Sequence, residues 1–186
     1  MNETMKTILN RRSFRAYKPE QIKDQELQTI LEAGKFAPSG MNTQPWHFSV
    51  IQNKDVLNKI NGIVKEGLLK SGNPQMAGRA KDENFSIFYH APTLIIVSAD
   101  PKVPTPQFDS AIALSYMFLA AASLDIGSCW IQAISVAFNS ESAKPMLKEL
   151  AIPEGYTIYS AGAFGYPAVE APAPAPRKEG TVSFIK

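Results

Sequence analysis

At 186 residues, with 45% apolar and 19% charged, the chain has the composition of a soluble globular protein. It is long enough to withdraw about 70% of its unfolded surface from water. A formal charge of +2, with basic residues spread among acidic ones except between Arg11 and Arg15, argues against a nucleic-acid partner. A single cysteine, Cys129, excludes an internal disulfide and a cysteine-based metal centre.

The first residues, Met1 to Lys6, lack the apolar core of a signal peptide, and the longest uncharged run, between Asp109 and Asp125, is too short to span a bilayer. The expectation is a cytoplasmic protein with no membrane partner. Residues 2–10 show a short helical pattern with Met5, Ile8 and Leu9 on one face. The basic cluster follows where that helix ends, and Pro19 closes the turn. Asp24 suits the N-cap of a second helix, whose apolar positions Leu27, Ile30, Leu31 and Phe36 keep helical spacing to about Ala37.

Between Phe36 and Ile51 the chain passes from helix to strand. Pro38, Gly40 and Pro45 force turns there, while Ser39, Asn42, Thr43 and Gln44 offer hydroxyl and amide groups. Such a loop can grip a polar ligand without carrying charge; taken alone, it also fits an ordinary connection. Trp46 to Ile51 reads as a buried strand. Asn53 or Asp55 starts a helix with Val56, Leu57, Ile60 and Val64 inward, and from Gly67 to Glu83 the pattern fades into a loop or a helical excursion of the kind that covers binding sites.

Thr93 to Val97 is the clearest buried strand, bounded by Pro92 and Asp100-Pro101. Phe108 to Leu124 forms the strongest helix, apolar around nearly its whole circumference. One side then packs on the chain's own sheet and another on a second subunit, unless the helix is simply central to one core. Gly127 ends it; Cys129, Trp130 and Ile131 begin another buried segment, and a helix carrying Pro145 in its first turn runs toward Leu150. Tyr156 to Phe164 is the last core strand. Beyond Gly165, Pro167, Pro172, Pro174 and Pro176 favour an extended tail, and Thr181 to Ile185 is apolar enough to dock as an edge strand. The organisation expected is one domain over residues 1–186, with 166–186 packing on the partner subunit.

Four stretches together resemble the flavin-dependent nitroreductase family: Arg11-Arg12-Ser13-Phe14-Arg15-Ala16-Tyr17, the run Pro38-Ser39 to Asn42, Gln44, Pro45 and Trp46, Gly127-Ser128-Cys129-Trp130-Ile131, and Gly165-Tyr166-Pro167 with Arg177-Lys178 beyond it. The resemblance implies an α+β nitroreductase-like fold: a mixed central sheet flanked by helices, a long central apolar helix, and an intertwined homodimer with FMN at each interface. It implies that Arg11, Arg12 and Ser13 serve the phosphate and ribityl oxygens, with Arg15 near ring N1 and O2 as a charge stabiliser. Alternate residues of an extended segment share a face, which would place Arg11, Ser13 and Arg15 together. Pro38, Ser39, Asn42 and Gln44 would approach from the other subunit. Trp130, Ile131, Gln132 and Ala133 would back the ring near N5, and Arg177 and Lys178 would return to the phosphate. Many relatives carry glutamate and glycine where Gln132 and Ala133 stand, and asparagine at the Tyr116 position.

No acid–base pair is expected, since the hydride chemistry belongs to the flavin; His47 and His90 are the only histidines, and no metal site is expected. Glycine-rich phosphate loops are absent, so a nicotinamide donor visits as an exchangeable substrate. The function expected is ping-pong hydride transfer from NAD(P)H through FMN to a small electron-poor aromatic, a nitroaromatic or quinone. The alternatives are a dehalogenase or flavin-fragmenting reaction on the same fold, or a non-catalytic flavin-binding module.

Overall fold

A computed structural model describes residues 1–138 and 143–186. Helix α1 (Glu3–Asn10) starts at Asn2, whose side chain accepts the Met5 N–H at 3.0 Å. Helix α2 (Asp24–Lys35) begins one residue earlier than the sequence suggests. Lys23 takes the cap position, and the Glu26 carboxylate accepts its N–H at 2.9 Å. Asp24 therefore lies inside the first turn, where its charge favours the helix dipole. Strand β1 (Trp46–Ile51) leads through the Asn53 cap into α3 (Lys54–Lys70), and Asn73 caps α4 (Pro74–Ala80). The fading pattern from Gly67 onward is thus helical on both sides of a short break.

Strand β2 (Thr93–Ala99), helix α5 (Pro106–Ser123), strand β3 (Gly127–Trp130), helices α6 (Gln132–Phe138) and α7 (Lys144–Glu149), and strand β4 (Thr157–Gly165) complete the order. The sheet runs β1-β2-β4-β3 with every ladder antiparallel. Among the described residues, parallel pairing enters as a single bridge between Ser13 and Ser128, so the sheet is mixed at that edge.

Strand β2 is buried along its full length, because helices cover both sheet faces. Leu94 and Ile96 point into one cluster with α3, α6 and α7; Ile95 and Val97 point into the other with α2 and α5. Each of these side chains contributes about 1.5–3 kcal/mol on burial. Helix α5 comes close to β4 over Gly162, where a Cβ would stand 2.8 Å from Phe118 and 3.0 Å from Leu114. Its other side is open: Phe108, Ile112 and Tyr116, at helical spacing, are exposed. The tail beyond Pro167 is extended and exposed. Thr181 to Ile185 forms no strand within the chain, and Phe184 is 82% exposed.

Candidate active site

The segment from Arg11 to Tyr17 is laid along the free edge of β3. Phe14 donates its N–H to Ser128 O at 3.0 Å, Lys18 to Tyr166 O at 2.9 Å, and Ala168 donates to Ala16 O at 3.1 Å. Extended backbone held in this way sorts alternate side chains onto opposite sides. Phe14 turns inward, its ring 3.1 Å from where a Gly127 Cβ would stand, whereas Arg11 and Ser13 face a groove shared with Trp130. Burial pushes the Cys129 thiol up from its ordinary range, and the opposing pull of Arg15 and Arg11 does not overcome it. The Arg15 guanidinium carbon lies 5.9 Å from the centre of the Tyr89 ring. The Tyr89 hydroxyl, and after it the Cys129 sulfur, hold Arg15 above its usual value. Burial likewise raises the Tyr17 phenol, which donates to Phe14 O at 2.8 Å.

Among the described residues, no carboxylate pairs with Arg11, Arg12 or Arg15. Arg12 differs from its neighbours: its Nη1 donates to Leu9 O at 2.7 Å and its Nε to Pro172 O at 3.1 Å, tying the end of α1 to the tail. Its Nη1 also donates to Arg11 O at 2.8 Å. Arg11 and Ser13 line a groove of about 350 Å³ whose far walls are Ser115, Phe118 and Trp130.

Trp130 is fixed by two contacts, one of them held in turn by a third residue. Phe118 meets its ring edge-on at 6.4 Å, its indole N–H donates to Gln132 Oε1 at 2.8 Å, and Gln132 Nε2 donates to Ser135 Oγ at 2.7 Å. Ile131 N–H reaches Ala161 O at 2.8 Å, docking the segment on β4. On its other side Trp130, with Ile131, Gln132 and Ala133, bounds a second cavity of about 140 Å³ beneath α3 and α4. No group of acidic, histidine or cysteine side chains suited to a metal occurs among the described residues, and none of their helices is long and apolar enough to cross a membrane.

The Pro38–Gln44 loop is built differently. Met41, Asn42 and Gln44 take positive φ of 53°, 55° and 45°, left-handed conformations costing on the order of 1 kcal/mol or more each. Asp109, 2% exposed, receives the Gly40 N–H at 3.0 Å and sits 3.1 Å from the Thr105 hydroxyl. Ser39 Oγ accepts the Gln44 N–H at 2.9 Å, and Gln44 Nε2 donates to Asn42 Oδ1 at 3.0 Å. The loop therefore rests on the N-terminal end of α5, whereas Ser115, Phe118 and Leu119 of the groove lie six to ten residues on from Asp109, about 9–15 Å along the axis.

One chain thus brings together Arg11, Ser13 and Arg15 with the Trp130–Ala133 segment. It does not bring Pro38, Ser39, Asn42 or Gln44 to them, and Arg177 and Lys178 stand in the exposed tail. Sequence reasoning missed Tyr89, which reaches Arg15 from a Tyr89-His90 turn with φ of 57° at both residues. No glycine marks that turn, so nothing in the local sequence announces it. Asp109 lies in the first turn of α5, which Thr105 caps, and its carboxylate anchors the loop.

The chain is similar to known proteins in both sequence and fold. A chain from Archaeoglobus fulgidus, provisionally named an NADH dehydrogenase/NAD(P)H nitroreductase, is 33% identical over 175 residues, 91% of this chain and 88% of that one. The crystal structure of a nitroreductase with bound FMN from Bacteroides fragilis superposes with a TM-score of 0.94 at 38% identity, covering 100% of both chains. A second, a nitroreductase with bound FMN from Desulfitobacterium hafniense, gives 0.91 at 32% identity over 100% of both. The nitroreductase family model matches residues 8–166, and the chain belongs to that family.

Proposed function

We propose that the chain is an FMN-dependent oxidoreductase that takes hydride from NAD(P)H and reduces an electron-poor aromatic such as a nitroaromatic or a quinone. The observation that carries this reading is the strip of two cations and a hydroxyl, Arg11, Ser13 and Arg15, at alternate positions of one edge segment, with no carboxylate partner among the described residues and with Arg11 and Ser13 on the Trp130 groove. Unpaired cations on a fixed backbone fit a phosphate and a ring edge that gains negative charge. When bound, FMN supplies reversible two-electron chemistry at N5, so donor and acceptor take turns at one place in a ping-pong cycle.

The chain's own part is binding and orientation. Arg11 and Ser13 would hold phosphate and ribityl oxygens, and Arg15, kept protonated by its surroundings, would stabilise charge near N1 and O2. Trp130 to Ala133 would back the ring. The distance along α5 between the Pro38–Gln44 loop and the groove supports a homodimer, in which a second copy's loop completes each site. The exposed Phe108, Ile112 and Tyr116 stripe supplies an apolar face for that contact.

The test is a visible spectrum of the purified protein, followed anaerobically with NADH and then NADPH. A bound flavin that bleaches with either donor and recovers with a quinone supports the reading and identifies the donor. A colourless protein that takes up no added FMN overturns it; bound flavin that no donor bleaches leaves a binding module instead.

A further inference from the structure

Arg15 stands on a segment whose backbone is pinned to the sheet edge, but its side chain is exposed and pairs with no carboxylate among the described residues. A long cationic side chain of that kind samples many rotamers unless something holds it. The group in place to hold it is Tyr89. Its ring centre lies 5.9 Å from the guanidinium carbon, and its hydroxyl does most to keep Arg15 above its usual value. The ring is itself seated, half-buried against the core cluster of α3, α6 and α7.

The turn that delivers Tyr89 is strained. Tyr89 and His90 both take φ of 57°, a left-handed conformation that adjacent non-glycine residues keep only when their surroundings hold them there. Tyr89 N–H reaches Ser86 O at 3.2 Å, His90 N–H reaches Ser86 Oγ at 2.9 Å, and His90 Nε2 lies 3.0 Å from Asn84 O. Asn61 on α3 clamps the same segment: its Nδ2 donates to Phe85 O at 2.8 Å and its Oδ1 accepts the Ile87 N–H at 2.9 Å. A connection from α4 to β2 that had only to turn could take glycine at such positions without strain. Here the strained pair sets a phenol against the cation proposed for the flavin ring edge.

We propose that Tyr89 is a positioning residue for Arg15, holding the guanidinium where negative charge develops on the reduced flavin and so raising the reduction potential of the bound cofactor. The inference rests on the FMN reading above. A cation fixed beforehand stabilises the reduced ring more than the oxidised one, so the effect falls on the potential and not on the affinity for oxidised FMN.

The test compares the flavin-loaded protein with Tyr89→Leu, which removes ring and hydroxyl, and with Tyr89→Phe, which removes the hydroxyl and keeps the packing. Potentials are measured by anaerobic spectral titration against a reference dye. Tyr89→Leu should weaken binding of reduced relative to oxidised FMN by about tenfold, which lowers the two-electron potential by about 30 mV. Tyr89→Phe should give part of that shift, and the Kd for oxidised FMN should stay close to the wild-type value in both. In an Arg15→Gln background, neither variant should move the potential further, because Tyr89 acts through that guanidinium.

A wild-type potential in Tyr89→Leu overturns the inference; if Arg15→Gln still lowers the potential, the place of Arg15 at the flavin survives. A shift that persists in full beside Arg15→Gln also overturns it, since the phenol then acts on the flavin directly. Oxidised and reduced FMN weakened equally make Tyr89 a wall of the site and overturn it as well. A protein that takes up no FMN removes both the inference and the reading beneath it, and its visible spectrum shows this before any variant is compared.

Discussion

The Arg11–Arg15 strip and the Pro38–Gln44 loop both present polar groups, but opposite forces hold them. The strip is pinned by backbone hydrogen bonds to Ser128, Tyr166 and Ala168, with Arg11, Ser13 and Arg15 spared from that work. The loop spends its side chains on itself, through Ser39 to Gln44 and Gln44 to Asn42, and hangs on one buried carboxylate, Asp109. Sheet edges position cations rigidly because the backbone does the holding. A loop with three left-handed non-glycine residues holds a shape only while its anchor lasts.

Replacing Arg15 with Gln gives the sharpest test of the strip. If that cation stabilises developing charge on a fixed frame, anaerobic reduction by NAD(P)H should slow by on the order of 10²-fold, with FMN affinity changing much less. Equal losses in both would make Arg15 a simple binding contact. The loop is tested by Asp109→Ala, which leaves the Gly40 N–H without its acceptor. Urea unfolding should show a loss of about 1–3 kcal/mol, and FMN affinity should fall although Asp109 is far from the groove in its own chain. Unchanged FMN affinity would remove the loop from the site.

Met41→Gly relieves a left-handed residue that is 86% exposed, and should raise stability by up to about 1 kcal/mol in the same assay. A loss would show that Met41 is packed in the assembled protein. Cys129 reports on the rigidity beneath the strip. Burial keeps its thiol protonated, so a disulfide reagent at pH 8 should label it slowly in the native protein and fully in denaturant. Fast native labelling would mean that β3 opens.

The smallest effect belongs to Tyr166→Phe. The Tyr166 hydroxyl donates to Glu26, joining α2 to the segment that pins the strip, and holds the Glu26 carboxyl below its usual 4.5 while its own phenol rises above 10.0. A depressed carboxyl adds stability above the ordinary pKa and loses it as pH falls through the lowered one. A raised phenol adds stability below its ordinary pKa and loses it as pH rises through the raised one. Melting temperatures of wild type and variant should therefore differ most between those limits and converge in acid and in base. A difference independent of pH would mean that packing, not this hydrogen bond, is lost.

Much of the fold was legible because short-range patterns carried it. The β-branched run at Thr93 to Val97 became β2, extended to Ala99, and the apolar stretch from Phe108 became α5 within two residues of the expected bounds. Gly67 misled locally: glycine weakens a helix by about 1 kcal/mol, yet α3 continues through it to Lys70 with Leu57, Ile60 and Val64 packed inward. Arg12 was indistinguishable from Arg11 and Arg15 in type, and the fold brings the carbonyls of Leu9 and Pro172 within reach of its donors.

Periodicity, turn residues and four motif stretches were enough to determine the α+β class, the family and the cation strip, because each is set by neighbours along the chain. The tertiary structure alone decided what lies across from what: Tyr89 against Arg15, Asp109 beneath Gly40, and a loop and groove set at different points along α5. Those pairings join residues far apart in sequence, and their energies arise only after the sheet and its helices have fixed the distances.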